Sequence, residues 1–233
     1  LAEAFRTGIG PSYDDQGAQG AHETAGTSGP WARSGLVPLL VPAVDGLAER
    51  LRAGAEILDV GCGAGEAVAA LATAFPASTV VGVDLSTHAL DLARARIADL
   101  ANADVRLGRA EDVAGDGYDL VLTFDVLHDL TRPDAAAAAV RSVIADDGVW
   151  LIKEIRAHPT WAENRKNPML AMFYGFSIAG CLGSGTSEPD GAGLGTVGMH
   201  GERLAALVTG AGFSSIDVHD IGDPANLYYE VRP

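Results

Sequence analysis

Asp59, Gly61, Gly63 and Gly65 fall at alternate positions in Ile57-Leu58-Asp59-Val60-Gly61-Cys62-Gly63-Ala64-Gly65-Glu66, where a short apolar run gives way to an Ala-rich one. Glycines so spaced admit positive φ and let a ligand touch backbone without interference from a Cβ. The helix expected next presents unpaired N–H groups at its start. A dinucleotide loop needs a small residue where this chain has Glu66, and a carboxylate there opposes a pyrophosphate. A P-loop needs Gly-Lys-Ser/Thr, which does not follow. A cationic sulfonium amino acid tolerates both the acidic flank and the lack of phosphate-binding lysines.

Further chemistry-bearing residues come at the ends of later apolar runs. Asp84 closes Val80-Val81-Gly82-Val83-Asp84, where a carboxylate can accept both hydroxyls of a ribose. It could instead cap a helix, but Ser86 is better placed to cap one beginning at Thr87. Tyr118–Phe124 runs into Asp125, His128 and Asp129. His128 is the first candidate for a general base, since imidazole titrates near neutrality; it also fits a capping or packing histidine. Asp125, His128 and Asp129 have residue types that suit a metal, but the segment is short and common, and no metal is assigned. Glu154 ends another strand and is a second catalytic candidate, although a salt bridge with Lys153 or Arg156 fits it equally. His200, after a glycine-rich tract, is a third, or an N-cap-region residue before the helix at Gly201. Tyr13 can fold over a bound cofactor from the N-terminal arm.

The elements that must position these residues alternate. Strands are expected at Glu56–Val60, Thr79–Val83, Val105–Leu107, Tyr118–Phe124 and Gly148–Ile155, with helices at Glu66–Phe75, Thr87–Leu100 and Pro133–Ile144. Continuous apolar strands separated by helices predict an α/β, doubly wound, Rossmann-like sheet, mostly parallel, with its ligand at the strands' carboxyl ends. A helix over Gly201–Gly210, a strand at Ser214–Val218 and a closing antiparallel strand at Ala225–Val231 complete it. Residues 1–35 read as an irregular arm or junction, whose Phe5, Ile9, Tyr13 and Trp31 imply partial docking. Helical spacing recurs from Leu36 to Leu51, limited by Pro38 and Pro42. The domain then spans 36–233, with the Met-, aromatic- and Gly-rich insert 157–200 as a lid.

Composition bounds the partners. A net charge of −15 with no Lys/Arg run speaks against nucleic acid binding by this part. No apolar run is long enough to span a membrane, and the two cysteines, Cys62 and Cys181, lack metal-site spacing and read as reduced thiols of a cytoplasmic protein.

On the loop at 59–65, Asp84 and the strand ending at Phe124, the chain resembles class I S-adenosylmethionine-dependent methyltransferases from about Gly54 onward. The resemblance implies that S-adenosylmethionine is the cofactor, its amino-acid part on Asp59, Gly61, Gly63 and Gly65. It implies further that Asp84 holds the ribose, Leu85 lies against adenine, Ala110 and Glu111 flank adenine, and Phe124 and Asp125 lie along the methionyl part. Arg109 stands where the family often has Asp, which leaves Glu111, Asp112 or backbone to read adenine N6. Gly195 to His200, Ala211-Gly212-Phe213 and Asn226-Leu227-Tyr228-Tyr229 are similar to a bacterial subgroup with an N-terminal winged-helix-like domain, here missing. The expected activity is methyl transfer to a small molecule, apolar or aromatic by the composition of residues 169–176, in a possible homodimer. The alternatives are a non-catalytic regulatory domain that binds S-adenosylmethionine or S-adenosylhomocysteine, and aminopropyl transfer, which would want a clearer acidic channel.

Overall fold

A computed structural model describes residues 2–233. Seven strands form one sheet: β1 (Glu56–Val60), β2 (Thr79–Asp84), β3 (Ala103–Leu107), β4 (Tyr118–Phe124), β5 (Ile144–Ile155), β6 (Ser215–His219) and β7 (Asn226–Arg232). Their spatial order is β3-β2-β1-β4-β5-β7-β6. β1 pairs in parallel with both β2 and β4, and β7 runs antiparallel between β5 and β6. The strand order reverses between β1 and β4, which opens a crevice at their carboxyl ends.

Alternation along the strands sends successive side chains to opposite faces, and both faces are covered. Ile57, Val80, Leu120 and Leu122 pack with Val68, Leu71 and Leu90 of helices α4 (Glu66–Ala74) and α5 (Thr87–Ile97). Leu58, Val60, Val121 and Ile152 pack on the other face with Val140, Leu204 and Val208 of α6 (Pro133–Val143) and α10 (Gly201–Gly210). Trp150, fully buried there, donates its indole N–H to Thr123 Oγ1 at 3.0 Å and packs on Phe213. This is the doubly wound sheet the sequence predicts, with the single antiparallel strand at β7.

The arm departs from its reading as irregular. Residues Ala2–Thr7 (α1) and Gly17–Trp31 (α2) are helical. Propensity alone misses α2, whose glycines disfavour an isolated helix; docking on α5 and α4 supplies what propensity does not. Arg33, just beyond it, pairs with the buried Glu66 at 2.7 Å, and Arg96 of α5 pairs with the same carboxylate at 2.6 Å. The helix expected over Leu36–Leu51 is instead broken into a wide helical segment Ala32–Leu40, a tight turn Val41–Ala43 and α3 (Leu47–Ala53). Pro38 and Pro42 each remove an N–H from the helical ladder, and Gly46 adopts a left-handed conformation, so no single helix can run through. The insert folds as three short helices, α7 (Trp161–Asn164), α8 (Leu170–Phe176) and α9 (Leu182–Gly185), the last two joined by a wide turn, followed by coil.

Leu120 is fully buried at the centre of the sheet and Val218 is exposed on its edge. Leu120→Ala is therefore expected to cost about 2–5 kcal/mol in urea unfolding. Val218→Ala should stay within about 0.5 kcal/mol of the parent. Equal effects would show that the sheet centre is misassigned.

Candidate active site

The crevice at the ends of β1, β2 and β4 is a cavity of about 650 Å³, walled by the sheet, the arm and the insert. Its floor is the loop after β1. Asp59 is buried one residue before the end of that strand, and burial, then the neighbouring charge of Asp84, pushes its carboxyl up to about 7. Asp84 accepts the Gly63 N–H at 2.7 Å and the Ser86 N–H at 2.8 Å, which fixes the loop to the end of β2. Ser86 caps α5 by accepting the Ala89 N–H. Gly61, Gly63 and Leu85 line the cavity beside them, and Ala110, in the turn after β3, lines the far end. A side chain at Gly63 would meet no protein atom within 4 Å, so its surroundings are open to a ligand.

Phe124 and Asp125 line the cavity where β4 ends. Asp125 holds a positive φ of 56°, rare without glycine. Its carboxylate pairs with Lys153 and accepts from Asn226 Nδ2 at 2.7 Å, which secures that backbone. Lys153 in turn lies 5.2 Å from the centre of the Trp31 ring. Trp31 stacks on Tyr228 and meets Phe124 edge-on, so the end of α2 is built into this wall.

One turn further, the His128 ring is buried and its Nδ1 lies 2.6 Å from Glu154 Oε2. Burial alone would lower the His128 pKa, but the carboxylates of Glu154 and Asp129 outweigh it and hold it well above the ordinary value. Tyr13 reaches in from the arm, its hydroxyl 3.8 Å from Cys181 Sγ. Burial first, then the charge of Asp129, raises its phenol far above the usual range, so it stays neutral. Met169, Met172, Phe173 and Phe176 of the insert close the cavity over these groups.

Most of the residues singled out from sequence converge here: Asp59, Gly61, Gly63, Asp84, Leu85, Ala110, Phe124, Asp125, His128 and Tyr13 all line the cavity. Glu154 does not line it but stands behind His128. Three candidates fall elsewhere. A Cβ on Gly65 would lie 2.9 Å from Ala93 Cβ, so this glycine serves the close approach of loop to α5, and it does not line the cavity. Glu111 accepts from Arg109 Nε at 2.6 Å, and Arg109 bridges on to Glu188 at 2.6 Å, which draws Glu111 away from the cavity. His200 caps α10, its Nδ1 accepting the Arg203 N–H at 3.4 Å outside the cavity, and so is not placed for catalysis. Sequence reasoning missed Asp14, which accepts from Thr87 N–H at 2.8 Å and Thr87 Oγ1 at 2.9 Å at the start of α5. It also missed Asn226, and it read Cys181 as an isolated thiol. Their partners are too distant in sequence for spacing to reveal them.

A family model described as a methyltransferase domain matches residues 51–185. The chain belongs to that family. Over 140 residues the methyltransferase domain is 32% identical to a ubiquinone biosynthesis O-methyltransferase of Thiobacillus denitrificans, the match covering 58% of this chain and 57% of that protein. The chain thus spans little more than half the length of this relative. An O-methyltransferase family protein from Burkholderia thailandensis shares the fold at a TM-score of 0.72 and 19% identity, over 100% of this chain and 67% of that one. An O-methyltransferase family 2 protein from Planctomyces limnophilus, solved in complex with apigenin, does so at 0.58 and 18%, over 76% of this chain and 49% of that one. Among the described residues no helix is long and apolar enough to cross a membrane.

The residues present fit S-adenosylmethionine: a buried carboxylate at Asp59 with no cation beside it, exposed loop backbone at Gly63, and Asp84 at the end of β2. A protonated Asp59 offers no charge to an ammonium group. Lowering the pH through about 7 should therefore weaken S-adenosylmethionine binding, by up to about tenfold per pH unit. Asp59→Asn should bind weakly at all pH values, without that step. Calorimetry across pH 5.5–8.5 (a range of about three units) checks this, and a flat wild-type profile would contradict it.

Proposed function

We propose that this methyltransferase domain moves the methyl group of S-adenosylmethionine to a hydroxyl oxygen of an apolar, aromatic small molecule. The carrying observation is the His128–Glu154 pair, buried beside the cavity that the Gly61–Gly63 loop and Asp84 floor. Bound S-adenosylmethionine supplies an electrophilic methyl carbon on a sulfonium. The chain's part is to align the acceptor, keep water out and take its proton.

Glu154 holds Nδ1 of His128, leaving Nε2 for the cavity. The carboxylates of Glu154 and Asp129 favour the charged ring, so His128 acts from its neutral form: as the acceptor oxygen bonds to the methyl carbon, its proton passes to Nε2, and the two carboxylates stabilise the imidazolium that results. Glu154 is thus a positioning residue and His128 the base. Met169, Met172, Phe173 and Phe176 favour a flat apolar acceptor over a charged one. The relatives' names as O-methyltransferases support oxygen as the atom methylated, and the apigenin complex supports an aromatic acceptor. The free thiols of Cys62 and Cys181 support a reducing, cytoplasmic setting. The closing motif around Asn226–Tyr229 supports the bacterial subgroup with an N-terminal winged-helix-like domain.

Incubation with methyl-labelled S-adenosylmethionine and a panel of phenols, catechols and hydroxyquinones should yield labelled ether, while alkyl amines stay unlabelled. His128→Asn should lower kcat by about 10²–10⁴-fold with S-adenosylmethionine affinity unchanged. Full turnover by that variant would remove His128 as base. Failure of the parent to bind S-adenosylmethionine or S-adenosylhomocysteine at high micromolar concentration would end the proposal.

A further inference from the structure

Part of the group around His128 has no task in proton transfer. A ring nitrogen of His128, a carboxylate oxygen of Asp129 and Cys181 Sγ lie within 4.8 Å of one another in the cavity wall. Two of them come from the turn after β4 and the third from the insert. Asp129 Oδ1 is shielded from solvent and faces Nε2 across 3.3 Å without a hydrogen bond of full geometry. This carboxylate answers the charge of the His128 ring, and a metal ion that displaces the ring proton takes over that charge with a thiolate and an imidazole nitrogen beside it.

We propose that His128, Asp129 and Cys181 form a binding site for a thiophilic divalent cation of the zinc class. One imidazole nitrogen, one thiolate and one carboxylate oxygen are the donors such ions take, and three protein ligands leave a fourth position open. Ligand atoms around a tetrahedral zinc stand roughly 3–4 Å apart, so the three need to draw in by about an ångström or less. The surrounding groups already suit the task. Glu154 holds Nδ1 at 2.6 Å, which fixes the ring with Nε2 toward the cluster, as carboxylates do behind metal-bound histidines. Thr196 Oγ1 donates to Cys181 Sγ at 3.0 Å, a hydrogen bond that a thiolate accepts well. Tyr13, whose hydroxyl lies 3.8 Å from Cys181 Sγ, lines the cavity beside the three. Binding forms the three metal–ligand bonds and releases the Cys181 thiol proton and the Nε2 proton of the His128 imidazolium to solvent.

Occupation takes the Nε2 lone pair, which the methyl-transfer reading needs as its base. Zinc-class cations therefore block turnover. Magnesium and calcium, which prefer oxygen donors, do not bind here. The inhibition rests on the proposed role of His128; the binding does not.

The full chain, stripped with chelator, is incubated with Zn²⁺ or Co²⁺ and desalted, and the retained metal is measured. About one zinc per chain is expected, with a cobalt–thiolate charge-transfer absorption in the Co²⁺ form. Cys181→Ser should lose that absorption and Cys62→Ser should keep it. Asp129→Asn, which preserves shape, should weaken zinc binding, and Thr196→Val should weaken it by about 10–100-fold. Thermal melting of each variant separates lost ligands from lost folding. No retained zinc on the wild-type chain, or equal retention by folded Cys181→Ser and Asp129→Asn, would overturn the site. Retained zinc with undiminished turnover would uphold the site and remove His128 as the base.

Discussion

Asp59, buried, and Asp84, part-buried, stand near the ends of adjacent parallel strands, where desolvation raises both carboxyls, the charge of Asp84 adds to it at Asp59, and that of Asp14 adds to it at Asp84. Asp84 is relieved by the N–H groups of Gly63 and Ser86, and Asp59 has no such donors. The sheet's register brings these two groups together, since β1 and β2 run side by side with Asp59 opposite Gly82. Buried charge of one sign without a counter-ion is a debt that folding alone does not settle, and a cationic ligand does. The direction of the Gly63 N–H toward Asp84 follows from that pairing.

The second constraint is closure. The arm is tied to the core at three points around the cavity: Asp14 at the N-terminus of α5, Arg33 on Glu66 of α4, and Trp31 against Phe124 and Tyr228 of the sheet. Each contact is made to an element that also touches the proposed cofactor site. Glu66, whose charge argued against dinucleotides, is thereby explained. It is the buried anchor for two arginines, one from the arm and one from α5. Gly29 of α2 passes so close that a Cβ would stand 2.7 Å from Glu66 Oε1, so a residue that weakens the helix in isolation is the one that lets it dock.

The parallel core was legible because its signal is local. Apolar runs such as Leu120–Leu122, bounded by turn residues, read as buried strands, and the glycine spacing at 61–65 marked the ligand loop. What escaped depends on contacts between distant segments. Nothing in Gly17–Trp31 announces a helix, because its stability comes from packing. His200 and Glu111 have suitable chemistry, but Arg203 and Arg109 claim them. Cys181 looked inert until folding set it beside His128 and Asp129. Spacing reports which residue types share an element, not which elements share a cavity.

The central claim is that loop and arm together enclose S-adenosylmethionine. Amide hydrogen exchange with and without S-adenosylhomocysteine tests it most directly, since both segments are followed in one experiment. Slower exchange is predicted in two regions at once, around Gly61–Ser86 and across Tyr13–Trp31, with the outer strand β6 unchanged. Saturable binding that leaves the arm's exchange untouched would contradict the enclosure, and protection confined to another face of the sheet would contradict the site itself.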